Sequence, residues 1–438
     1  MKSNIMHIYG WVCRTALIML CAVSLFSCVK VDLCAEAEHP HTGNIKIVYH
    51  WPEDGNEHPD SMLVLANRIV NTHRVGYITG KETSIGGRYR FGKVYRNEEV
   101  NAIDIYPLIV SAGEYQIFAF NHDIVDTKQN GHGLKGVPDY RVEGLDEYSS
   151  EQHFSSVGIR DIGISYIGRS LKDPLLNRYN KDWIEAFNDY AKYIATDIKP
   201  IYRAINYHDE ASQEYTVSVR ANENKEVNLS PQKVTQDITI SFPMYTDEEV
   251  TIDSIVAEIS GIPRKMMVYT GVIVADTTYK MLFPIKIDQT NTKKATLKVE
   301  ENGKVVKKEY TQTECVGDIS VIGLLANQDP KHRTGAGILV LCIYAKTTNE
   351  VGVVKTKTQY AKINLYNTIR EAHLLIKNEQ GEIMQNPGTD PDKPCVNTLR
   401  IDDSQLILTR DLILQTSDDD VLGDSWEKAA NGDINIDA

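Results

Sequence analysis

The chain has 438 residues, of which 42% are hydrophobic, and this length is enough for two or three ordinary domains with separate cores. It contains 47 basic and 60 acidic residues, which gives a formal net charge of −13. A surface that binds nucleic acid needs concentrated lysine and arginine to meet the phosphates. The charge balance therefore argues against a nucleic-acid-binding protein.

The first 27 residues have the pattern of a secretory signal peptide. A flank with two basic residues and no acid precedes an apolar run from Thr15 to Phe26, which is too short to span a bilayer as an ordinary helix. The run ends in Leu-Phe-Ser-Cys, which resembles the bacterial lipobox, where the cysteine is acylated and becomes the new N-terminus. We predict a signal peptide over 1–27, lipid on Cys28 and a tether over 28–42. A plain signal peptide cleaved nearby is the alternative.

Alternating apolar residues mark the first strand after the tether. Ile45, Ile47, Tyr49 and Trp51 fall on one face at period two, as in a half-buried strand. Between 113 and 121 both faces are mostly apolar, which predicts a central strand covered on both sides. The other strands predicted in this half are 61–65, 89–94, 103–106 and 213–220.

The stretch from about 122 to 200 departs from the strand pattern. It is polar and loop-rich at first, and 182–194 then places Trp183, Phe187 and Tyr190 at helical spacing, which predicts one amphipathic helix. We interpret the aromatic stripe as core packing rather than as a ligand site. The prediction is an N-terminal β-sandwich domain over 43–232 with a small helical and loop insertion.

The pattern from 233 to 438 is almost wholly β and predicts a C-terminal β-sandwich domain. Asn302-Gly303 is a strong hairpin signal, because a type I′ turn needs positive φ at both central positions. Many short strands separated by turn residues are typical of a sandwich. The strands predicted here are 237–244, 251–259, 295–299, 305–306, 338–344, 351–354, 361–365, 373–376 and 405–408.

Motifs for catalysis or cofactor binding have no support in the sequence. Gly131 to Gly136 spells GxGxxG, but a proline follows two residues later, which suits a loop better than the helix that a dinucleotide site requires. No pattern of a nucleophile elbow or a zinc protease occurs. We predict that the protein is not an enzyme and needs no cofactor.

Acidic and histidine clusters are the candidates for metal binding. Asp390 with Asp392, and the triplet 418–420, lack the spacing of a calcium loop and are interpreted as solvated acidic turns. The histidines near the N-terminus, including His50, are interpreted as scattered exposed residues. We therefore predict no metal site.

Three cysteines in the second half leave two possibilities open. Cys315, Cys342 and Cys395 could supply one disulfide in an oxidising compartment. Cys342 lies inside an apolar run, which favours a buried free thiol instead.

Several stretches resemble one known family. Val256 to Gly271, with Ser260, Gly261 and Gly271, resembles the strand, Ser-Gly turn and glycine that open the C-terminal domain of fimbrillin-like lipoproteins of Bacteroidetes. The lipobox at Cys28, the Ala-Gly-Glu-Tyr phrase that begins at Ala112, and the acidic C-terminal end are also similar to that family. The resemblance is closest to its fimbrial anchor and accessory lipoproteins.

The resemblance implies two tandem transthyretin-like β-sandwich domains and a role in fimbria anchoring, assembly or adhesion. Shaft subunits of the family are cleaved after an arginine near the first strand and polymerise when a neighbour's strand fills the vacated groove. The tether from Cys28 to Thr42 contains no arginine. An anchor or terminal subunit that keeps its lipid, at the surface of the outer membrane, is the expectation, with other fimbrial or surface subunits as its partners.

The C-terminal end supplies the candidate contact residues. Trp426, Ile434 and Ile436 are candidates for strand exchange or closure, and an ordinary last strand is the alternative. A different function class is a glycan-binding lipoprotein of a polysaccharide-uptake system. It would need exposed aromatic platforms, for which the candidates are Tyr140, Tyr148, Tyr190 and Tyr193.

Overall fold

The structure is a computed structural model. It describes residues 42–51, 59, 61–69, 88–96, 108–121, 125–126, 140–143, 153–155, 162–171, 173, 176, 192–194, 200–205, 216–301, 304–348, 351–401, 406–416 and 426–428. The signal peptide, Cys28 and the tether up to residue 41 lie outside these residues, as do the predicted strand 103–106 and the glycine motif 131–136. The described chain is mainly β, as the sequence predicts, with one short helix.

The N-terminal half contributes short strands. They are β1 (Thr42–Tyr49), β2 (Ser61–Ile69), β3 (Arg88–Arg96), β4 (Leu108–Ser111), β5 (Gly113–Asn121), β6 (Val125–Asp126), β7 (Tyr140–Glu143), β8 (His153–Ser155), β9 (Gly163–Tyr166), β10 (Tyr193–Ile194), β11 (Tyr202–Ile205), β12 (Val217–Val219), β13 (Asn224–Leu229) and β14 (Gln232–Lys233).

The C-terminal half contains the long strands and the helix. Its elements are β15 (Gln236–Thr246), β16 (Val250–Met267), β17 (Val272–Glu301), β18 (Lys304–Val321), β19 (Ile338–Thr348), β20 (Val354–Asn364), α1 (Tyr366–Ala372), β21 (Leu375–Lys377), β22 (Ile383–Gln385), β23 (Thr398–Arg400), β24 (Leu406–Leu408), β25 (Leu414–Thr416) and β26 (Trp426–Lys428).

Two sheets face each other in the N-terminal half. In the three-stranded sheet β1 lies between β13, with which it is parallel, and β4, with which it is antiparallel. The facing sheet has the order β14-β11-β5-β2-β3-β8, with β12 also on β5. Ile45 and Ile47 of β1 are fully buried, and Tyr49 and Trp51 pack against the same cluster, which confirms the predicted face. We call this cluster the sandwich core.

Strand β5 has apolar side chains on both faces, as its sequence predicts. Ile117 and Ala119 belong to the sandwich core, whereas Phe118 and Phe120 point the other way and belong to a second, larger cluster. That larger cluster continues through Phe242, Phe283 and Leu341 of the C-terminal half and is called the main core below. The second face of the N-terminal sheet is therefore buried against the C-terminal half.

Three long strands form the frame of the C-terminal half. The sheet order is β25-β24-β15-β18-β17-β16-β19-β20-β26, and β17 pairs first with β16 and then, past its midpoint, with β18. The change falls between Ile285, which pairs with β16, and Lys286, which pairs with β18. A register shift within the β18 pairing follows between Asp288 and Lys293, where the Asp288 carboxylate accepts hydrogen bonds from Thr290 and Asn291. The predicted hairpin is confirmed by the pairing of Glu301 with Lys304.

Strands from the predicted insertion join the sheet of the C-terminal half. β9 pairs with the end of β16, β7 pairs with β9, and β10 runs parallel to β17. Of the helix predicted over 182–194, residues 182–191 lie outside the described chain, and Tyr193 and Ile194 form β10 instead. The boundary at residues 232 and 233 and the two transthyretin-like sandwiches stay predictions.

The one described helix, α1, lies between the predicted strands 361–365 and 373–376, in residues for which the sequence predicts no element. It has seven residues and buries Ile369 and Ala372, and it is capped by the following residue, His373, whose φ of 48° is left-handed. So short a helix presents only two buried positions, and two positions do not establish a helical period.

Candidate assembly surface

The outer edge of β20 is mostly unpaired with any other strand of the described chain. On one side β20 pairs with β19 along its whole length. On the other side β26 pairs only with Ala361, Lys362 and Ile363. No other strand of the described residues pairs with the part of this edge that begins at Val354. The backbone N–H and C=O groups of such an edge can pair with a strand from another chain.

The side chains along this edge are charged as well as apolar. Lys355, Thr356 and Lys357 are exposed, and Val354 at the start of the strand is 55% exposed. Lysines on an edge strand disfavour indiscriminate pairing, because an incoming strand has to compensate their charge. The edge therefore favours an acidic or polar strand as its partner.

The predicted contact residues are only partly placed. Trp426 opens β26, where its backbone pairs with Ile363 of β20, and Glu427 and Lys428 continue the ladder. Ile434 and Ile436 lie outside the described residues. Strand β26 thus reaches the β20 edge, and the roles of Trp426, Ile434 and Ile436 in strand exchange or closure stay a prediction.

The predicted Ser-Gly turn is wrong, because Ser260 and Gly261 lie inside strand β16. They form a β-bulge, at which the pairing with β17 skips from Ser260 to Ile262. Gly261 has a φ of +91°, and an added Cβ would come within 2.6 Å of the Gly337 nitrogen. The Ser260 hydroxyl donates to the Gly335 carbonyl and accepts from the Ile338 N–H. The bulge therefore holds the loop between β18 and β19 against the sheet.

Gly271 marks a contact between the two halves. It has a φ of +76° in the turn between β16 and β17, and an added Cβ would meet the Arg203 guanidinium at 2.8 Å. Arg203 lies on β11 and donates a hydrogen bond of 2.7 Å to the carbonyl of Val268 in the same turn. This glycine lets an N-terminal side chain cap a C-terminal turn.

A buried carboxylate joins the two halves at the centre of β16. Glu258 is 2% exposed and accepts hydrogen bonds from the Lys280 ammonium of β17, at 2.8 Å, and from the Tyr193 hydroxyl of β10. Both partners are needed, because a buried carboxylate without them would carry an uncompensated charge.

A second carboxylate connects β7 with the end of β16. Glu143 accepts hydrogen bonds from Arg264 and Ser165 and forms an ion pair with Lys265 at 3.0 Å. Burial raises the pKa of the Glu143 carboxyl, but the hydrogen bonds from Lys265, Arg264 and Ser165 outweigh it, and the net pKa lies below its ordinary value. Glu143 therefore stays ionised at neutral pH and binds the added strands to the frame.

The three described cysteines are free thiols. Cys315 and Cys342 are fully buried in the sheet, and burial raises the pKa of each thiol to about 12. Cys395 is half-buried, and burial raises its pKa as well. The buried free thiol predicted for Cys342 is confirmed, and none of the three thiols is an activated nucleophile.

Metal-ligand clusters are absent from the part of the chain that the structure describes. His50 instead forms a hydrogen bond of 2.9 Å with the Asn228 side chain, and the Asp390 carboxylate accepts from the Asp392 N–H in an exposed turn. The triplet 418–420 lies outside the described residues.

Two of the four tyrosines considered as sugar platforms are core residues. Tyr140 and Tyr193 are completely buried, with Tyr140 against Tyr166 and Tyr193 against Glu258. Tyr148 and Tyr190 lie outside the described residues. Among the described residues, no helix has the length and apolar character needed to cross a bilayer.

Comparison with known proteins gives distant structural neighbours. No family model and no curated protein matches the chain. A candidate adhesin of Bacteroides thetaiotaomicron has 11% identity and a TM-score of 0.37, with 91% of this chain and 99% of that chain covered. The fimbrial anchor protein Mfa2 of Porphyromonas gingivalis has 9% identity and a TM-score of 0.31, with 84% and 90% covered. A candidate polysaccharide-binding protein of B. thetaiotaomicron has 8% identity and a TM-score of 0.34, with 89% and 99% covered.

The three neighbours are thus a candidate adhesin, a fimbrial anchor protein and a candidate polysaccharide-binding protein. All three TM-scores are below 0.5, so the likeness transfers no function to this chain.

Proposed function

We propose that this protein is a non-enzymatic surface lipoprotein that anchors, assembles or mediates adhesion of fimbria-type structures through protein–protein contacts. Lipid on Cys28 would hold it to the outer membrane, and the tether 28–42 would space the fold from the surface. The contact would form by β-strand addition, in which a partner's strand extends the large sheet.

The observation that carries this proposal is the outer edge of β20. The side chains from Val354 to Thr358 are exposed or half-exposed. In the described chain no strand pairs with this part of the outer edge, because β26 pairs only with residues 361–363. Trp426, Ile434 and Ile436 lie on the segment that begins at this edge, which makes them candidates for exchange with a partner or for closure of the edge. Main-chain pairing would supply affinity, and Lys355 and Lys357 would select the partner.

The sequence before β1 favours an anchor over a shaft subunit. β1 is paired on both sides and fills the sandwich core with Ile45 and Ile47. A shaft subunit that lost this strand would expose those core positions for a neighbour's strand. Here the sequence offers no arginine between Cys28 and Thr42 at which such a cleavage could occur.

The test of function is a pull-down from native cells with a tag in a surface loop, comparing wild type with Cys28→Ala. The proposal expects fimbrillin-type subunits in the wild-type sample and their loss or redistribution when the lipid is absent. Recovery of outer-membrane transporters and glycan-binding lipoproteins instead would favour the polysaccharide-uptake alternative. That alternative now depends on Tyr148 and Tyr190, since Tyr140 and Tyr193 are buried.

Strand addition itself can be tested with two neighbouring proline variants, Lys355→Pro and Thr356→Pro. Consecutive N–H groups of a strand point to opposite neighbours, so one variant removes a donor from the outer edge and the other breaks the ladder with β19. The variant that keeps wild-type thermal stability is the edge variant, and it should lose the partner. If it retains the partner in full, the β20 edge is not the contact.

A further inference from the structure

A groove with an apolar floor lies beside α1, at the end of the main core. Its volume is about 330 Å3, and its apolar residues come from three segments: the chain after β18, the helix, and the β21–β22 hairpin. Leu324 and Ile369 form the buried floor, and Ala326, Leu375 and Ile383 form the partly buried walls. The groove therefore lies directly over buried residues of the main core.

The titratable side chains that line the groove are all of basic residue types. Arg370, His373 and Lys377 line it, and no acidic residue does. Arg370 also lies over the ring of Tyr366, which fixes its guanidinium beside the helix. In a chain with a formal net charge of −13, a groove lined only by apolar and basic side chains is a local inversion of charge.

We propose that this groove binds a monomeric long-chain carboxylate of the fatty-acid type. The alkyl chain would lie along Leu324, Ile369 and Leu375, and the carboxylate would face the basic side chains of Lys377 and His373. A sugar would leave its hydroxyl groups without partners on the apolar floor, whereas an uncharged alkane would not use the basic rim. The site is separate from the β20 edge and is independent of the function proposed above.

The experiment is calorimetric titration of the unlipidated mature chain, carrying Cys28→Ala, with dodecanoate below its micelle concentration. Dodecyltrimethylammonium is the matched ligand, since it has the same alkyl chain and the opposite charge. We expect one dodecanoate per chain and at least about fivefold weaker binding of the cation. Lys377→Glu should weaken dodecanoate about fivefold and strengthen the cation, while Lys355→Glu on β20 should change neither.

A second test fills the groove with a larger side chain. Ala326→Phe places a ring in the space of the alkyl chain and should abolish dodecanoate binding. If this variant does not fold, Ile376→Asp at the half-exposed wall should repel the carboxylate instead. The proposal is overturned if dodecanoate does not bind at about 1 mM, if both ligands bind equally, or if the folded groove variant binds normally. Binding only to phosphatidylglycerol vesicles, or displacement of dodecanoate by a peptide of residues 429–438, would also overturn it.

Discussion

The two halves of the molecule use their strands differently. In the N-terminal half the longest strands have nine residues, and two small sheets enclose the sandwich core. In the C-terminal half β16, β17 and β18 have 18, 30 and 18 residues, and the main core lies along them. The N-terminal half has its own core on one face of β5 and shares the main core on the other. The long strands thus form the frame on which the shorter ones depend.

The largest expected effect comes from the side chains that share the main core. Phe120→Ala removes a fully buried ring of the N-terminal half from that core and should cost about 3–5 kcal/mol of unfolding free energy. Ile47→Ala in the sandwich core is the control and should cost about 2–5 kcal/mol. Hydrogen exchange should show lost protection in β16 and β17 for Phe120→Ala only. Equal protection there in both variants would mean that the two halves are energetically independent.

Substitution of Gly261 tests whether the stability of the long strands depends on the β-bulge. Gly261→Ala combines a left-handed φ with contacts below 3 Å to backbone atoms of Gly337 and Leu325, so it should cost about 3 kcal/mol. Gly352→Ala is the matched control, since its φ is +81° and nothing lies within 4 Å of the added Cβ. It should cost about 1 kcal/mol. Urea denaturation measures the loss of unfolding free energy in each variant. Equal losses would show that the bulge can relax around the added methyl group.

The sequence predicted those features that depend on local pattern. The buried face of β1 and the doubly covered β5 follow from side-chain alternation. The hairpin that pairs Glu301 with Lys304 was predicted from the turn preference of an Asn-Gly pair. The bulge was missed because a Ser-Gly pair suits both a turn and a bulge, and only the long pairing of β16 with β17 distinguishes them.

Non-local pairing set the limit of prediction. β7, β9 and β10 extend the C-terminal sheet although their sequence lies in the N-terminal half, and nothing in four or fewer alternating residues specifies the partner strand. The same holds at the candidate assembly surface. Trp426 was predicted as a candidate for strand exchange or closure, but its register opposite Ile363 on β20 depends on a pairing 63 residues away in the chain.

The buried carboxylate between the halves should have an intermediate effect. Glu258→Ala leaves the Lys280 ammonium and the Tyr193 hydroxyl without their acceptor and should cost about 2 kcal/mol, because Lys280 remains partly open to water. Asp318→Ala removes the exposed ion pair with Lys286 and should cost less than about 1 kcal/mol. Thermal unfolding that ranks the two variants equally would contradict a role for Glu258 in joining the halves.

The smallest effect is a dependence of stability on pH at the Glu143 junction. Because the pKa of Glu143 is lower in the folded protein, its contribution to stability is fully present above its unfolded pKa of about 4.5. It is lost as the pH falls through the folded value, so between pH 5 and 8 the difference between wild type and Glu143→Gln should stay constant, at less than about 1 kcal/mol. Below pH 4.5 the difference should shrink toward zero.

Asp318→Asn is the control for this pH dependence, because the pKa of Asp318 is also lowered, by a hydrogen bond from Lys286, but its ion pair lies within the C-terminal half. Hydrogen exchange at β9 separates the two variants: Glu143→Gln should speed the exchange of these amides at neutral pH, since the β7 and β9 strands are held to β16 through Glu143. Asp318→Asn should leave them unchanged. Faster exchange at β9 in both variants would mean that the long strands and the added strands β7 and β9 open as one unit. The two regions would then not differ in local stability at this junction.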